Sequence, residues 1–307
     1  MRVRVHFVAQ IGEADRTPSV LAQRDGVRLL FGCLPESASE HRGKRYRLHS
    51  PAIASLDVAS LFDLTGRVAI VTGGSRGLGA SISRGFAAAG ATVVVASRKV
   101  DACEDVVAQI RAAGGEAVAI GCNMSDGSQV SRLVARTIEQ FDRLDCVVNN
   151  AATPLRVGVI DFDDGLWHKA MDVNVWGPIR LIHEAVPFLR QSDSATVINV
   201  LSVGGQRGSM SLLGYGSAKA ALRHATESIA AELAPLGIRV NAIAPGPFAT
   251  TMMNTSDDTF QSDAVDRTLL KRMAAPDEII GAALFLASAA SSFVTGSVVV
   301  VDGGLLA

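Results

Sequence analysis

From Arg67 onward, short runs of β-branched residues alternate with longer amphipathic stretches. Seven runs have the length and composition of strands: 68–71, 92–96, 117–120, 146–148, 196–200, 239–243 and 298–301. Several of them are apolar at every position, as strands are when helices cover both faces of a sheet. The alternation is typical of βαβ units and predicts an α/β fold with a doubly wound, seven-stranded parallel sheet.

Six stretches between these runs have helical spacing: 80–89, 101–113, 126–141, 167–189, 218–234 and 277–286. Strands and helices together fill one sheet with two covered faces, so residues 61–307 are predicted to form a single domain. Residues 1–60 differ, because they are rich in arginine and show no sustained helical or strand period. We expect them to be an irregular, poorly ordered N-terminal extension.

Two other interpretations of residues 1–60 stay open. One is a targeting segment, although the segment has no continuous apolar stretch and contains acidic residues such as Glu13 and Asp15. The other is a native start downstream, since the compact pattern begins only after residue 60. No methionine lies between Met1 and Met124, so such a start requires a non-standard initiation codon. The intact mass of the native protein distinguishes these interpretations.

The composition limits the function classes open to this chain. With 307 residues and 48% hydrophobic side chains it can bury a large core, and its net charge of -1 gives no global field that favours nucleic acid or an anionic membrane. The four cysteines are far apart and lack metal-ligand spacing, so neither a zinc site nor a disulfide scaffold is expected. No apolar run approaches the ~18 residues that span a bilayer. We therefore expect a cytoplasmic protein with a small-molecule substrate, no metal, and no nucleic-acid or membrane partner.

A glycine-rich segment, Thr72-Gly73-Gly74-Ser75-Arg76-Gly77-Leu78-Gly79, directly follows the first predicted strand and precedes the first helix. Glycine permits a tight turn and a close approach of the backbone, and the N–H groups at a helix start attract a pyrophosphate. The segment predicts a dinucleotide site, although an ordinary strand-to-helix turn has a similar composition. The residues predicted to contact the cofactor here are Gly73, Ser75, Arg76, Gly77, Leu78 and Gly79.

The end of the second strand indicates which dinucleotide is preferred. An acidic side chain there would bind the ribose 2'-hydroxyl and repel a 2'-phosphate. The strand instead ends in Ser97-Arg98-Lys99, and the guanidinium of Arg98, helped by Arg76, suits a phosphate. NADP(H) is therefore predicted over NAD(H), which remains possible. The alternative is that Arg98 and Lys99 form a solvated surface pair.

A second group of residues suits proton transfer. Tyr215 and Lys219 lie four residues apart at a predicted helix start, so both project from one face. A neighbouring ammonium and an oxidised nicotinamide would stabilise a phenolate and so lower the phenol pKa from its ordinary value near 10. Ser202, at the end of the fifth strand, could donate a hydrogen bond to a substrate oxygen. The alternative for the pair is a buried tyrosine beside a snorkelling lysine.

These motifs occur in a fixed order along the chain: 72–79, Asn149-Asn150-Ala151-Ala152, Asn174, Ser202, and Tyr215 with Lys219. In this order and type they resemble the short-chain dehydrogenase/reductase family, in its compact single-domain branch. The resemblance covers residues 61–307. It implies a Rossmann-type sheet with the strand order 3-2-1-4-5-6-7 and assembly as a homotetramer.

The resemblance also implies a role for each matched residue. Tyr215 would be the general acid/base, and Ser202 would position the substrate carbonyl. Lys219 would bind the nicotinamide ribose and lower the phenol pKa, while Asn174 would support a water in a proton relay. The further cofactor contacts implied are Asn123, Asn150, Tyr215, Lys219, Pro245, Gly246 and Thr250.

The chain departs from the family pattern at two positions. Ala152 replaces the usual last glycine of Asn-Asn-Ala-Gly, which a left-handed backbone would not tolerate. Asn123 stands where an aspartate often binds the adenine amino group, and its amide oxygen could accept the same hydrogen bond.

By position, residues 248–275 are the family's substrate lid. They are too irregular for a core element and include Phe248, Met252, Met253, Phe260 and Leu269.

The sequence thus predicts an NADP(H)-preferring oxidoreductase that moves a hydride between nicotinamide and a carbonyl or secondary alcohol carbon. Substrates of the 3-oxoacyl thioester, sugar or polyol, and steroid or xenobiotic carbonyl types all stay open. One alternative is a catalytically silent dinucleotide-binding sensor or scaffold of the same fold. Another is an epimerase or dehydratase of the longer branch, although that branch has a larger C-terminal substrate domain.

Overall fold

The computed structural model describes residues 57–307, except 155–157, 209–211 and 255–257, together with two short strands near the N-terminus. Those strands, Gln23–Arg24 and Val27–Arg28, pair antiparallel. The chain divides after residue 56 into two units. Apart from residues 57–60, the rest of the predicted extension, including Cys33 and Tyr46, lies outside the described residues, and its disorder stays a prediction.

Seven parallel strands form the sheet of the second unit. They are β1 Val68–Thr72, β2 Thr92–Ser97, β3 Glu116–Gly121, β4 Cys146–Asn149, β5 Thr196–Val200, β6 Arg239–Pro245 and β7 Val298–Val301. Their spatial order is β3-β2-β1-β4-β5-β6-β7, which confirms the predicted doubly wound topology. The chain reverses its winding direction between β1 and β4, where such folds bind ligands at the carboxyl edge.

Nine α-helices lie in the described part of this unit: α1 Gly77–Ala88, α2 Val100–Ala112, α3 Gly127–Phe141, α4 Asp164–Met171, α5 Gly177–Leu189, α6 Leu213–Leu233, α7 Thr251–Asn254, α8 Asp258–Asp266 and α9 Ile280–Ala287. The prediction of one continuous helix over 167–189 is wrong. A π-helical segment, Asp172–Trp176, separates α4 from α5. Such a wide turn leaves the apolar spacing on either side intact, so periodicity does not detect it.

The core lies on both faces of the sheet. Side chains alternate along each strand, so that Val71 packs with Phe86 of α1 on one face and Ile70 with Leu133 of α3 on the other. Burial on both faces explains why the strands are apolar without alternation. No helix in the described ranges is both long and apolar enough to cross a membrane.

The position of Phe248 shows that the predicted substrate lid does not begin at residue 248. The sequence placed it in an irregular segment over the substrate, but its side chain is 3% exposed and packs in the core beneath α1 and α9. A backbone bridge between Phe248 and Ala274 closes the segment at its base. The helices α7 and α8 lie between these two residues in the chain.

Candidate active site

A cleft with a volume of about 1480 Å³ opens at the carboxyl edge of the sheet. Most of the predicted site residues line it: Gly73, Ser75, Arg76, Gly77, Leu78, Arg98, Asn123, Asn150, Ser202, Tyr215, Lys219, Pro245, Gly246 and Thr250. The two exceptions are Gly79 and Asn174, which are buried behind its wall. Segments far apart in the chain thus meet around one space.

The glycine segment forms a tight turn between β1 and α1. Gly73 has a φ of +64°, and a Cβ added there would lie 2.8 Å from the Cα of Ala151, so only glycine fits without strain. The Thr72 hydroxyl accepts hydrogen bonds from the backbone N–H groups of Asn150 and Ala151, each at 3.1 Å. The Asn150 amide in turn donates to the carbonyls of Thr72 and Gly73, at 2.8 and 3.1 Å. The β4 end therefore fixes the turn, and the Asn150 side-chain NH₂ is committed to it.

This turn fits the pyrophosphate of a dinucleotide. Side chains are missing where a ligand would approach the backbone, and α1 begins at Gly77 with its N-terminus at the cleft. The first N–H groups of a helix lack helical partners and carry partial positive charge, which favours a phosphate. The proposed phosphate site is thus formed by backbone N–H groups, and the absence of glycine side chains keeps these groups accessible.

The β2 end of the cleft is basic. Arg76, Arg98 and Lys99 are exposed along it, and none of them forms an ion pair with another described residue. No carboxylate stands at the end of β2. Asn123 lies nearby, but its Oδ1 accepts hydrogen bonds from the N–H and hydroxyl of Ser125, at 3.3 and 3.1 Å. These two bonds compete with the predicted acceptance from an adenine amino group.

Ser202, Tyr215 and Lys219 meet at the centre of the cleft. The Lys219 Nζ atom lies 5.8 Å from the Tyr215 ring centroid, so the two side chains share one face of α6 as predicted. Lys219 is 2% exposed, and its Nζ donates to the Val200 carbonyl oxygen at 2.6 Å. Ser202 follows β5, and its hydroxyl accepts from Gly204 N–H at 3.1 Å. The 3-10 turn Val203–Gly205 packs against α6 and so holds the serine beside the helix.

Asn174 lies behind the wall rather than in it. Its side chain is fully buried in the π-helical segment, where Oδ1 accepts from Thr153 N–H at 3.0 Å and Nδ2 donates to the Thr153 carbonyl at 3.1 Å. This reciprocal pair fixes the backbone of Thr153, which lines the cleft. Wide π-helical turns are frequent at functional sites.

The sequence model of a family described as enoyl-(acyl carrier protein) reductase matches residues 73–306 of this chain. A short-chain dehydrogenase/reductase of Arabidopsis thaliana is 35% identical over 245 residues, which is 79% of this chain and 95% of that protein. The chain belongs to the short-chain dehydrogenase/reductase family. It is accordingly an NAD(P)-dependent oxidoreductase that acts on CH–OH or C=O groups.

Two solved structures that are similar to this chain carry nicotinamide cofactors. The RhlG/NADP active-site complex of Pseudomonas aeruginosa is 35% identical, with a TM-score of 0.75 over 80% of this chain and 98% of that chain. A 7α-hydroxysteroid dehydrogenase complexed with NADH and 7-oxo glycochenodeoxycholic acid is 30% identical, with a TM-score of 0.78 over 81% and 98%. The fold therefore accommodates both NADP and NADH.

One departure from the family pattern is explained by the backbone. Within the described residues, only Asp142 and Lys271 have a positive φ among the residues that are not glycine. Ala152 is therefore outside the left-handed region, and its methyl group causes no backbone strain.

Other cleft residues were not predicted from the sequence, namely Thr153, Lys169, Arg207, Arg267 and Leu305. They carry no motif and reach the cleft only through folding.

Burial of Lys219 predicts a pH-dependent stability. Desolvation lowers the pKa of its ammonium to about 8, from an ordinary value of 10.5. The unfolded chain binds this proton more tightly, so the free energy of unfolding rises with pH between these two values. We expect wild type to gain roughly 3 kcal/mol relative to Lys219→Met over this window, and nothing below pH 8.

Urea unfolding of both proteins without cofactor, at a series of pH values, measures this difference. Lys169→Met serves as the control, because Lys169 is exposed and should show no such trend. A constant difference between wild type and Lys219→Met from pH 7 to pH 10 would contradict the assignment of a desolvated ammonium at this position.

Proposed function

We propose that this protein is an NADP(H)-preferring oxidoreductase that transfers a hydride between nicotinamide and a carbonyl or secondary alcohol carbon. The observation that carries the proposal is the convergence of Tyr215, Lys219 and Ser202 in the same cleft as the glycine turn. Bound NADP(H) supplies or accepts the hydride. The protein supplies the proton, the orientation of the substrate, and the binding of the phosphates.

Tyr215 is the proposed general acid/base. In the reducing direction its hydroxyl gives a proton to the carbonyl oxygen, and in the oxidising direction its phenolate removes one from the alcohol. Lys219 favours the phenolate, because its ammonium stands 5.8 Å from the ring in a site shielded from water. Ser202 donates a hydrogen bond to the same substrate oxygen. Asn174 acts as a positioning residue, through its two bonds to Thr153, and supports a water in the proton relay.

Three exposed cations support the preference for NADP(H). Arg98 is proposed to bind the 2'-phosphate, with Arg76 and Lys99 beside it. A guanidinium binds a phosphate through two parallel hydrogen bonds, and hydrogen bonds to charged groups contribute about 1.5–3 kcal/mol. Arg98→Ala should therefore lower the ratio of kcat/KM for NADPH to that for NADH by about tenfold or more, mainly through the KM for NADPH.

Steady-state kinetics with both cofactors measures this ratio. Arg136→Ala removes an equally exposed arginine from α3, outside the cleft, and should leave the ratio unchanged. An unchanged ratio in Arg98→Ala as well would show that Arg98 only faces solvent.

The function itself is tested with a panel of ketones and secondary alcohols, run with NADPH and NADH or with NADP⁺ and NAD⁺. We expect turnover of several carbonyl substrates, faster with NADPH. Tight NADPH binding without turnover across the panel would instead favour the silent sensor or scaffold. The three proposed catalytic residues, Ser202, Tyr215 and Lys219, and the positioning residue Asn174 are all present, which supports the enzyme.

We further propose, by family resemblance, that the protein is a cytoplasmic homotetramer. Light scattering of the purified protein gives the mass of the assembly, and cell fractionation gives its location. A monomer in solution would contradict the first expectation, and a membrane or exported fraction the second.

A further inference from the structure

The charge of the cleft differs from the charge of the chain. The whole sequence has a net charge of -1. Among the described residues that line the cleft, however, Asp263 is the single acidic one, against seven basic ones: Arg76, Arg98, Lys99, Lys169, Arg207, Lys219 and Arg267. A cleft lined by one sign of charge attracts ligands of the opposite sign.

The proposed function accounts for four of these cations. Arg76, Arg98 and Lys99 follow β1 and β2, on the half of the sheet proposed to bind the nucleotide phosphates. Lys219 is buried beside Tyr215. Three cations, Lys169, Arg207 and Arg267, have no assigned partner in the cofactor.

These three lie on the other half of the sheet, around the proposed reaction centre. Arg207 follows Ser202 by five residues, and its N–H donates to the Val203 carbonyl at 3.1 Å. Lys169 lies on α4, which packs against α6, the helix that carries Tyr215. Arg267 follows α8, in the segment after β6. Each of the three therefore follows a strand on the opposite side of β1 from β2, the strand that ends at Arg98.

The three cations take no part in the ion pairs of the described residues. By contrast, Arg84, Arg143, Arg180, Arg223 and Arg272 each pair with a carboxylate. Apolar side chains, including Leu212, Met253 and Leu305, line the same space. The substrate end thus combines an apolar wall with unpaired cations at its rim.

We propose that the substrate is amphipathic and anionic: an oxo or hydroxy compound whose apolar body ends in a carboxylate or phosphate bound by Lys169, Arg207 and Arg267. This inference rests on the proposed function, since it names the substrate class of that site. The apolar body contacts Leu212, Met253 and Leu305 while the carbonyl lies between Ser202 and Tyr215. The anionic end stays at the exposed rim, where its charge costs little desolvation.

The first test uses methyl ketones that carry a terminal carboxylate at increasing chain length, each paired with its methyl ester and with the matching phosphate monoester. With NADPH at saturation, the best anionic ketone should have a kcat/KM about tenfold or more above its ester, mostly through KM. The advantage should shrink as ionic strength rises, because the cations are exposed. The carboxylate and phosphate arms identify which anion is preferred.

Single variants locate the effect. Arg207→Met and Lys169→Met should each lower the anion-to-ester ratio of kcat/KM by about two- to fivefold, while the kinetics of the neutral ester change little. Arg136→Met is the matched control, since it removes one exposed positive charge outside the cleft. Equal ratios in wild type and in both variants would overturn the inference while leaving the oxidoreductase intact.

A binding readout separates the two proposals. A saturated fatty carboxylate without an oxo group should raise the Tm of the NADPH-bound protein, whereas the alcohol of the same length should not. Arg207→Met should weaken this shift, and Arg136→Met should not. If no ketone of any kind is reduced, the proposed function fails, and the presence or loss of this shift still decides whether the cleft binds anions.

Discussion

Replacing Tyr215 by phenylalanine should reduce kcat for ketone reduction by about a thousandfold, because a positioned general acid contributes about 10²- to 10⁴-fold to such steps. The substitution removes one oxygen and keeps the ring that faces Lys219 at 5.8 Å. Every side chain proposed to bind the phosphates, in the glycine turn and at the basic end of the cleft, is unchanged in this variant. NADPH affinity should therefore stay within about twofold of wild type, since uniform binding is not lost.

Stopped-flow measurement of NADPH oxidation, together with titration of NADPH fluorescence, separates these two quantities. Tyr46→Phe is the natural control, because the chain contains only these two tyrosines and Tyr46 precedes the enzymatic unit. Turnover in Tyr215→Phe comparable to wild type would remove the phenol from the mechanism. The proton would then have to come from another group, and the proposed role of Lys219 in stabilising the Tyr215 phenolate would also be wrong.

Most of the fold could be predicted because the inner strands of the sheet are buried on both faces. That environment requires apolar, β-branched runs, and the observed strands begin and end within two residues of the predicted ones. The helices were less well predicted where the backbone departs from α geometry. The π-helical segment around Asn174 lies between two regular helices whose own spacing gives no sign of it, and α6 begins at Leu213, before its amphipathic pattern becomes regular.

The site was predictable where one local motif carries the chemistry. The glycine turn and the Tyr215–Lys219 pair depend on spacing within one segment, so the sequence places them together. Side chains that act through contacts with another segment of the chain have no such local motif in the sequence. Nothing in the sequence indicates that the Asn150 amide binds the glycine turn, that Ser125 donates to Asn123, or that Arg207 and Arg267 line the same cleft. These contacts depend on distances between segments that only the folded chain defines.

The second large effect is expected for Gly79→Ala. Helix propensity alone predicts that this substitution stabilises the protein, whereas we expect it to destabilise the protein. In an exposed helix, alanine is favoured over glycine by up to about 1 kcal/mol. At Gly79 an added Cβ would overlap the Gly73 carbonyl oxygen and the Asn150 Nδ2 atom. Those two atoms are joined by a 3.1 Å hydrogen bond that holds the phosphate turn, so neither can move without breaking it.

Gly79→Ala should therefore destabilise the protein by about 2–4 kcal/mol, combining the strain of overpacking with the loss of a buried hydrogen bond. NADPH affinity should fall by about a hundredfold, because the start of α1 is pushed away from the turn that binds the phosphates. Urea unfolding and calorimetric titration of NADPH measure these effects.

Gly281→Ala gives the matched control. Gly281 is exposed in α9, and nothing lies within 4 Å of a Cβ added there, so this variant should be as stable as wild type or slightly more stable and should bind NADPH normally. Gly79 and Gly281 both lie in the first turn of a helix, so they differ in the atoms that surround an added Cβ and not in helical position. If both variants bound NADPH like wild type, the approach of α1 to the turn would not be what shapes the phosphate site, and that site would have to be sought in side chains such as Ser75 and Arg76.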